Sequence, residues 1–278
     1  MLLNDRSPAA LTLSAQRINA ATGLSYAVER AIAVEVPISI VYGDAPYAVM
    51  MASPGDVEDF AYGFSLTEGI IASREDIRRI EVAPQARGVS LRIELAPGRF
   101  RDHLSRKRAM TGRTSCGLCG IESIDQLPEA GAVARAAPIE PRALFDALTS
   151  LEYYQPLNSL TRAVHAAAFC GRDGTILALR EDVGRHNALD KLIGARLREG
   201  AEKDGFILVT SRASFEMVEK TAMYGVATLA AISAPTSLAV ERAQALGLTL
   251  AAIARADGAM VFAGALAASE MARAEATT

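Results

Sequence analysis

The sequence predicts an α/β fold, a sheet covered by helices on both faces, preceded by a smaller α+β portion. Three observations carry this. The second half alternates short apolar runs with helical segments in the order ββαβαβαβ, the pattern of strands buried on both sides. The first half instead sets alternating strands around one amphipathic helix. Half of the 278 residues are hydrophobic and 22% are charged, a globular composition with enough chain for one large or two modest cores.

Taken in order, residues 1 to about 24 are small, polar and aperiodic and read as a frayed tail. Ala33 to Val41 alternates around Pro37 as an edge strand does, and Pro46 to Met51 supplies its partner. Ser53 reads as an N-cap with Pro54 at the first helical position. Behind it Val57, Phe60, Ala61 and Phe64 recur at helical spacing up to about Gly69. Strands are expected at Ile77 to Val82 and Val89 to Leu95, then the basic run Arg99 to Arg108 and a glycine-rich loop. The alanine- and proline-rich stretch Gly131 to Pro141 is the expected boundary. The chain is thus read as a tail over 1–24, an α+β portion over 25–135, an α/β/α domain over 136–265 and a surface tail over 266–278.

Beyond the boundary, Pro141 to Leu151 is expected to be helical. Ala163 to Cys170 and Thr175 to Leu179 flank Gly171 to Gly174 as a hairpin. Helices follow at about Asn187 to Leu197, Ser214 to Tyr224 and Thr236 to Leu246, the last closed by Gly247. Between them lie buried-type strands at Phe206 to Thr210, Val226 to Ser233 and Leu250 to Arg255. Ala263 to Thr278 reads as a surface helix running into a tail.

Composition also excludes function classes. Twenty-nine basic and 32 acidic residues leave a net charge of −3, against a nucleic-acid binder with a broad basic face. Three cysteines are too few for a disulfide-stapled secreted domain. The N-terminus lacks a signal-peptide pattern, and the apolar window Thr221 to Val240 is broken by Gly225 and Pro235, so no membrane span and a cytoplasmic location are expected.

Three segments carry chemistry. Cys116 and Cys119 sit three apart among glycines and hydroxyls, with Arg113 close by. A zinc half-site would need two more ligands from His103, His165 or His186. A thioredoxin-type redox pair would open a helix after a strand, and an inert turn is also open. Nucleophilic sulfur chemistry is the remaining reading, because a nearby cation favours the thiolate. The second segment, Glu181 to Gly194 (EDVGRHNALDKLIG), reads as a well-capped helix start in which Asp190 and Lys191 make local ion pairs. There Asp182, Arg185 and His186 are poised where helix amides favour anions. The third, Thr210 to Lys220, runs a buried strand into Thr, Ser and Arg before a helix, which suits a phosphate or plain N-capping by Ser211 or Ser214. His165 reads as a core histidine and Cys170 as a buried small hydrophobe.

Residues 113–120 (RTSCGLCG), 181–194 and 211–218 (SRASFEMV) together resemble the signature blocks of the FdhD family, with weaker matches at 51–71 and 234–239. The resemblance spans about 29 to 262. It implies a fold similar to cytidine deaminase, a three-layer α/β/α domain, and a homodimer. It also implies a sulfurtransferase that takes persulfide sulfur from a cysteine desulfurase. The acceptor is the molybdenum cofactor in its bis(molybdopterin guanine dinucleotide) form, destined for formate dehydrogenase apoenzyme. The persulfide cysteine falls on Cys116, with Cys119 its partner. The cofactor-binding stretch falls on Ile253, Ala254, Arg255, Ala256, Asp257 and Gly258. Arg185, His186 and Arg212, with Arg255, are candidates for the guanine dinucleotide phosphates. No metal of the protein's own is expected. The deaminase zinc pattern is missing, since alanines follow His165, so no deaminase activity is expected. Two rivals are a cofactor chaperone without sulfur transfer and a zinc-stabilised nucleotide-binding module.

Overall fold

A computed structural model of the chain describes residues 8–99 and 130–268. The first half contains a hairpin of β1 (Ala10–Ile18) and β2 (Ser25–Ala33), then β3 (Val36–Tyr42), β4 (Ala45–Ala52), α1 (Val57–Thr67), β5 (Ile77–Gln85) and β6 (Gly88–Leu95). The second half runs α2 (Pro141–Ser150), a 3-10 turn at Leu151–Tyr154, α3 (Pro156–Thr161), β7 (His165–Cys170) and β8 (Ile176–Asp182). It continues with α4 (Arg185–Glu199), β9 (Phe206–Val209), α5 (Phe215–Tyr224), β10 (Thr228–Ala231), α6 (Ser237–Leu246), β11 (Thr249–Arg255) and β12 (Gly258–Ala263).

The second half builds a six-stranded sheet in the order β12-β11-β10-β9-β7-β8, with β9, β10 and β11 parallel and the outer strands antiparallel. Period-two alternation divides each inner strand between two cores. Ala167, Phe169, Ile207, Val209, Leu229 and Ala231 face the larger core with α4, α5 and α6. Ala168, Cys170, Phe206, Leu208 and Ala230 face the smaller one, closed by Ala143, Leu144 and Ala147 of α2. This is the expected three-layer α/β/α arrangement.

The smaller α+β portion is a four-stranded sheet, β4-β3-β6-β5, with α1 packed on it. Ile38, Phe60 and Leu91 belong to the same core as Leu189 and Ile207, so apolar packing is continuous across the two halves. The junction is a close crossing of α1 and α4. A Cβ on Gly63 would lie 1.7 Å from the Asp190 carbonyl oxygen, and one on Gly194 would lie 1.7 Å from that of Asp59. Only glycine allows backbones to approach so closely.

Several expectations are corrected. Residues 10–18 form β1 and pair with β2 along their whole length, where a tail was expected; the strand is almost entirely exposed, so its pattern carries no burial signal. Pro37 does not lie in an edge strand. β3 is flanked by β4 and β6, and Pro37 is tolerated because pairing to β6 begins one residue later, at Ile38. Ser53 does not cap α1, which starts after Asp56 in a left-handed conformation; the Ser53 hydroxyl instead accepts the amide of Val183. Gly258–Ala263 forms an additional strand on the sheet edge, and residues 264–268 are not helical.

Candidate functional site

Sheet topology gathers the sequence blocks of the second half on one edge. The parallel strands β9, β10 and β11 end there, β7 begins there at His165, and β8 ends opposite it at Asp182. In an open α/β sheet this edge, beyond the carboxyl ends of the parallel strands, is where ligands bind. It brings together His165, Arg185 and His186 at the start of α4, Thr210, Ser211 and Arg212 leading to α5, and the β11–β12 turn. At about 4.8 Å per strand, the four steps from β8 to β11 span roughly 19 Å.

The Glu181 to Gly194 segment divides into two roles. Asp182 and Lys191 have fully buried side chains, paired at 2.6 Å. Asp182 also accepts the amides of Ser53 (2.9 Å) and Gly184 (2.8 Å) and the Asn187 side-chain amide (3.0 Å). Lys191 donates to the Ser53 carbonyl at 2.9 Å, and Asn187 to that of Met51 at 2.7 Å. Asp190 is paired with Lys220 at 2.8 Å and accepts from Thr67 at 2.7 Å. Asp182, Asn187, Asp190 and Lys191 therefore stitch α4 to the N-terminal portion and to α5. The ion pairs of Asp190 and Lys191 are long-range, not local to the helix.

Arg185 and His186 remain at the edge. His186 Nε2 lies 2.8 Å from Glu216 Oε2 in the first turn of α5, and that contact holds the Glu216 carboxyl below its ordinary range. Burial, then the charges of Arg185 and His186, push the His165 imidazole below its ordinary value. His165 is thus half-buried at the site and not a core residue. Thr210 fixes the edge by donating its amide to the Ala166 carbonyl (3.0 Å) while its hydroxyl accepts the Ala166 amide (2.9 Å).

Capping does not use up these groups. Ser214 occupies the N-cap of α5 without a side-chain cap bond, and the Ser211 hydroxyl donates to the Arg212 carbonyl. Arg185 Nε and Ser214 Oγ are buried without a hydrogen-bond partner among the described residues. Orphaned buried donors beside two helix N-termini, with Arg212 exposed at the rim, make this edge the candidate site for an anion.

The stretch Ile253 to Gly258 lies on this edge. Ile253 adopts φ 52, a left-handed conformation unusual for a β-branched residue, and donates its amide to the Ser233 carbonyl. The register of β11 against β12 slips there, and the bulge turns Ala254 into the smaller core while Ala252 faces the larger. Arg255, Ala256 and Asp257 are exposed in the turn. Cys116 and Cys119 lie outside the described residues, as do Arg113 and His103.

Cys170 is fully buried and its thiol is pushed up to about 12 by burial, an inert group. A cavity of about 250 Å3 sits between the Ser53 to Asp56 loop, the start of α3 and the end of β8 at Arg180 and Glu181. Three of its charged groups are already engaged: Arg180 with Asp59, Glu181 with the amides of Leu157 and Asn158, and Lys191 with Asp182. Among the described residues no group of three or more His, Cys, Asp or Glu is placed to hold a metal ion, and no helix is long and apolar enough to cross a membrane.

Sequence reading did not single out Glu216, although its place two residues past Ser214, in a helical first turn, was a usable signal. It also missed Ser53 as a partner of Asp182, for which no local pattern exists.

Three comparisons bear on this site. The family model described as the FdhD/NarQ family matches residues 33–268. The chain is 44% identical over 233 residues to the sulfur carrier protein FdhD of Bordetella petrii, covering 83% of this chain and 84% of that one. It is 47% identical over 239 residues to the protein of the same name from Agrobacterium fabrum, covering 84% and 88%. A crystal structure from Desulfotalea psychrophila, assigned as a formate dehydrogenase accessory protein, aligns with a TM-score of 0.75 and 26% identity over 92% of this chain and 98% of that one.

Proposed function

The chain belongs to the FdhD/NarQ family, and from that premise we propose that it is a sulfur carrier for formate dehydrogenase maturation, with a nucleotide-bearing cofactor held at the sheet edge. The observation that supports this best is the edge itself. Arg185, Arg212, His165 and the unsatisfied Arg185 Nε and Ser214 Oγ offer cationic and neutral donors across the two steps from β8 to β9, about 10 Å, and the Ile253 to Gly258 stretch on β11 extends the edge to about 19 Å, the scale of an extended dinucleotide. The bis(molybdopterin guanine dinucleotide) cofactor is the cargo, and its phosphates are the anions these groups suit. The exposed Arg255 to Asp257 turn lies beside them.

In the proposed chemistry, the Cys116 thiolate attacks the terminal sulfur of a cysteine desulfurase persulfide. The desulfurase cysteine leaves as a thiolate, and Cys116 holds the sulfur as a persulfide. Attack by Cys119 on the Cys116 sulfur then forms a Cys116–Cys119 disulfide and expels hydrosulfide to the acceptor. The two cysteines supply both electrons, and a dithiol reductant restores them. Proposed partners are a cysteine desulfurase, a formate dehydrogenase apoenzyme and a second copy of the chain, in the cytoplasm.

The test is intact mass after incubation with a desulfurase and cysteine. Wild type gains 32 Da steps (about one sulfur atom each, on the persulfide chemistry above), and Cys116→Ala gains none. Equal gain in both overturns the carrier role. The same edge would also serve a cofactor chaperone that transfers no sulfur. Full dehydrogenase maturation by a Cys116→Ser/Cys119→Ser variant would establish that reading.

A further inference from the structure

We propose that the cavity flanking the end of β8 is a ring subsite, with Asp56 and Tyr154 as the residues that read its ligand. It takes a planar heterocycle carrying the 2-amino-4-oxopyrimidine ring common to pterin and guanine. The choice of ring class rests on the cofactor reading above, since that cargo carries both.

The size and the walls of the cavity limit its occupant. It holds about 250 Å3, just below the roughly 300 Å3 at which pockets for drug-sized ligands begin. It suits one fused ring system and not a whole nucleotide. The walls are largely apolar, with Pro156 and Leu157 from the start of α3 and Leu179 from β8. Tyr154 adds an aromatic wall and is 46% exposed, so its ring is open to a ligand. Stacking on such a face is available to any flat heterocycle. The loop does not fill the space itself, because a Cβ on Gly55 would meet no heavy atom within 4 Å.

The polar groups supply the selectivity. Arg180 spends Nε and Nη2 on Asp59, at 2.8 and 2.7 Å, and Nη1 on the Leu179 carbonyl at 2.9 Å. Asp56 is left at 3.5 Å from Arg180, with its side chain 47% exposed. It stands at the N-cap of α1, yet its carboxylate makes no cap bond. Its backbone is left-handed, at φ 56 and ψ 34, a setting that a short polar side chain such as Asp or Asn tolerates. The strain is thus not repaid by capping. A carboxylate offers two acceptor oxygens in one plane and no donor. The matching partner is a ring N–H next to an exocyclic amino group, which pterin and guanine present and adenine does not.

The cavity also lies where such a ring is useful. Glu181 in its wall is one residue, about 3.4 Å of strand, before Asp182, whose register partner is His165. The helix that begins with Arg185 opens three residues after Asp182. A ring in the cavity therefore sits beside the cationic end of the edge, where phosphates are proposed to bind.

Equilibrium dialysis of the full chain against pterin, guanosine and adenosine tests the subsite without phosphate or sulfur chemistry. Pterin or guanosine should bind saturably, and adenosine at least about 5-fold more weakly than the better of them. The tighter of the two identifies which ring of the cargo uses the cavity. Tyr154→Ala should weaken that ring by at least about 5-fold. Asp56→Asn keeps a residue suited to the left-handed backbone but turns one acceptor into a donor. It should reverse the preference for the 2-amino ring over its 2-oxo counterpart, lumazine for pterin and xanthosine for guanosine. Both positions are about half exposed, and unchanged melting temperatures identify folded variants. No saturable binding, adenosine binding as tightly as the others, or folded variants with unchanged affinities and preference would each overturn the subsite. A wild type that takes up no sulfur from a desulfurase overturns the carrier reading alone, and the dialysis still decides the cavity.

Discussion

At the scale of single residues, the buried charges divide by whether they are satisfied. Asp182 and Lys191 satisfy each other and both backbone groups of Ser53, so their energy goes into the fold. Removing one partner leaves a charge stranded in the interior, and Lys191→Met should cost about 3–5 kcal/mol in urea unfolding. His165 is the opposite case. Its imidazole is held below its ordinary value by burial first and by Arg185 and His186 second, with Asp182 opposing. The unfolded chain therefore binds the proton more readily, and stability falls as pH drops below about 6.5. A bound phosphate reverses the balance by favouring the imidazolium. Guanosine diphosphate should bind more tightly as pH falls from about 7.5 to 6, with proton uptake, and His165→Gln should flatten that slope in calorimetry.

At the scale of elements, the α1–α4 crossing decides how the halves meet. With only 1.7 Å between an added methyl carbon and a backbone oxygen, Gly194→Ala cannot be absorbed by a rotamer change. The helices must separate, and the Thr67–Asp190 hydrogen bond across them must stretch. A loss of about 3 kcal/mol is expected from thermal unfolding, at the upper end for overpacking. Much of this element layer was legible beforehand. The apolar runs at 206–210 and 226–233 named their strands, and Gly247 marked the end of α6, where it takes φ 69. The α1–α4 contact was not legible, because a glycine in a helical pattern reads the same whether it meets a backbone or solvent.

At the scale of the whole molecule, the β1–β2 hairpin meets the body at α3 and leaves most of its own surface exposed. Register places Leu11 opposite Ile32 and Arg17 opposite Tyr26 on one face with Leu13, and Leu11, Leu13, Tyr26 and Ile32 are all exposed. A two-stranded ribbon has no second layer to bury such side chains. The proposed second copy of the chain supplies one by isologous pairing of two ribbons. Sedimentation should show a dimer, and Leu11→Glu/Leu13→Glu should shift it to monomer without lowering sulfur uptake per chain. A dimer unaffected by that change would place the interface elsewhere.

The sequence by itself determined the layering of the second half, because period-two and period-3.6 burial patterns are local and each element carries its own. It also determined family membership, through long blocks in a set order. Tertiary structure alone decided the division of labour inside those blocks. That Lys191 serves Ser53, that Ile253 bulges and sends Ala254 to the other core, and that Glu219 holds Ala130 all depend on groups distant in the chain or on a single backbone angle. Charge pairing across such separations has no periodicity, so it becomes readable only when the fold has brought the partners together.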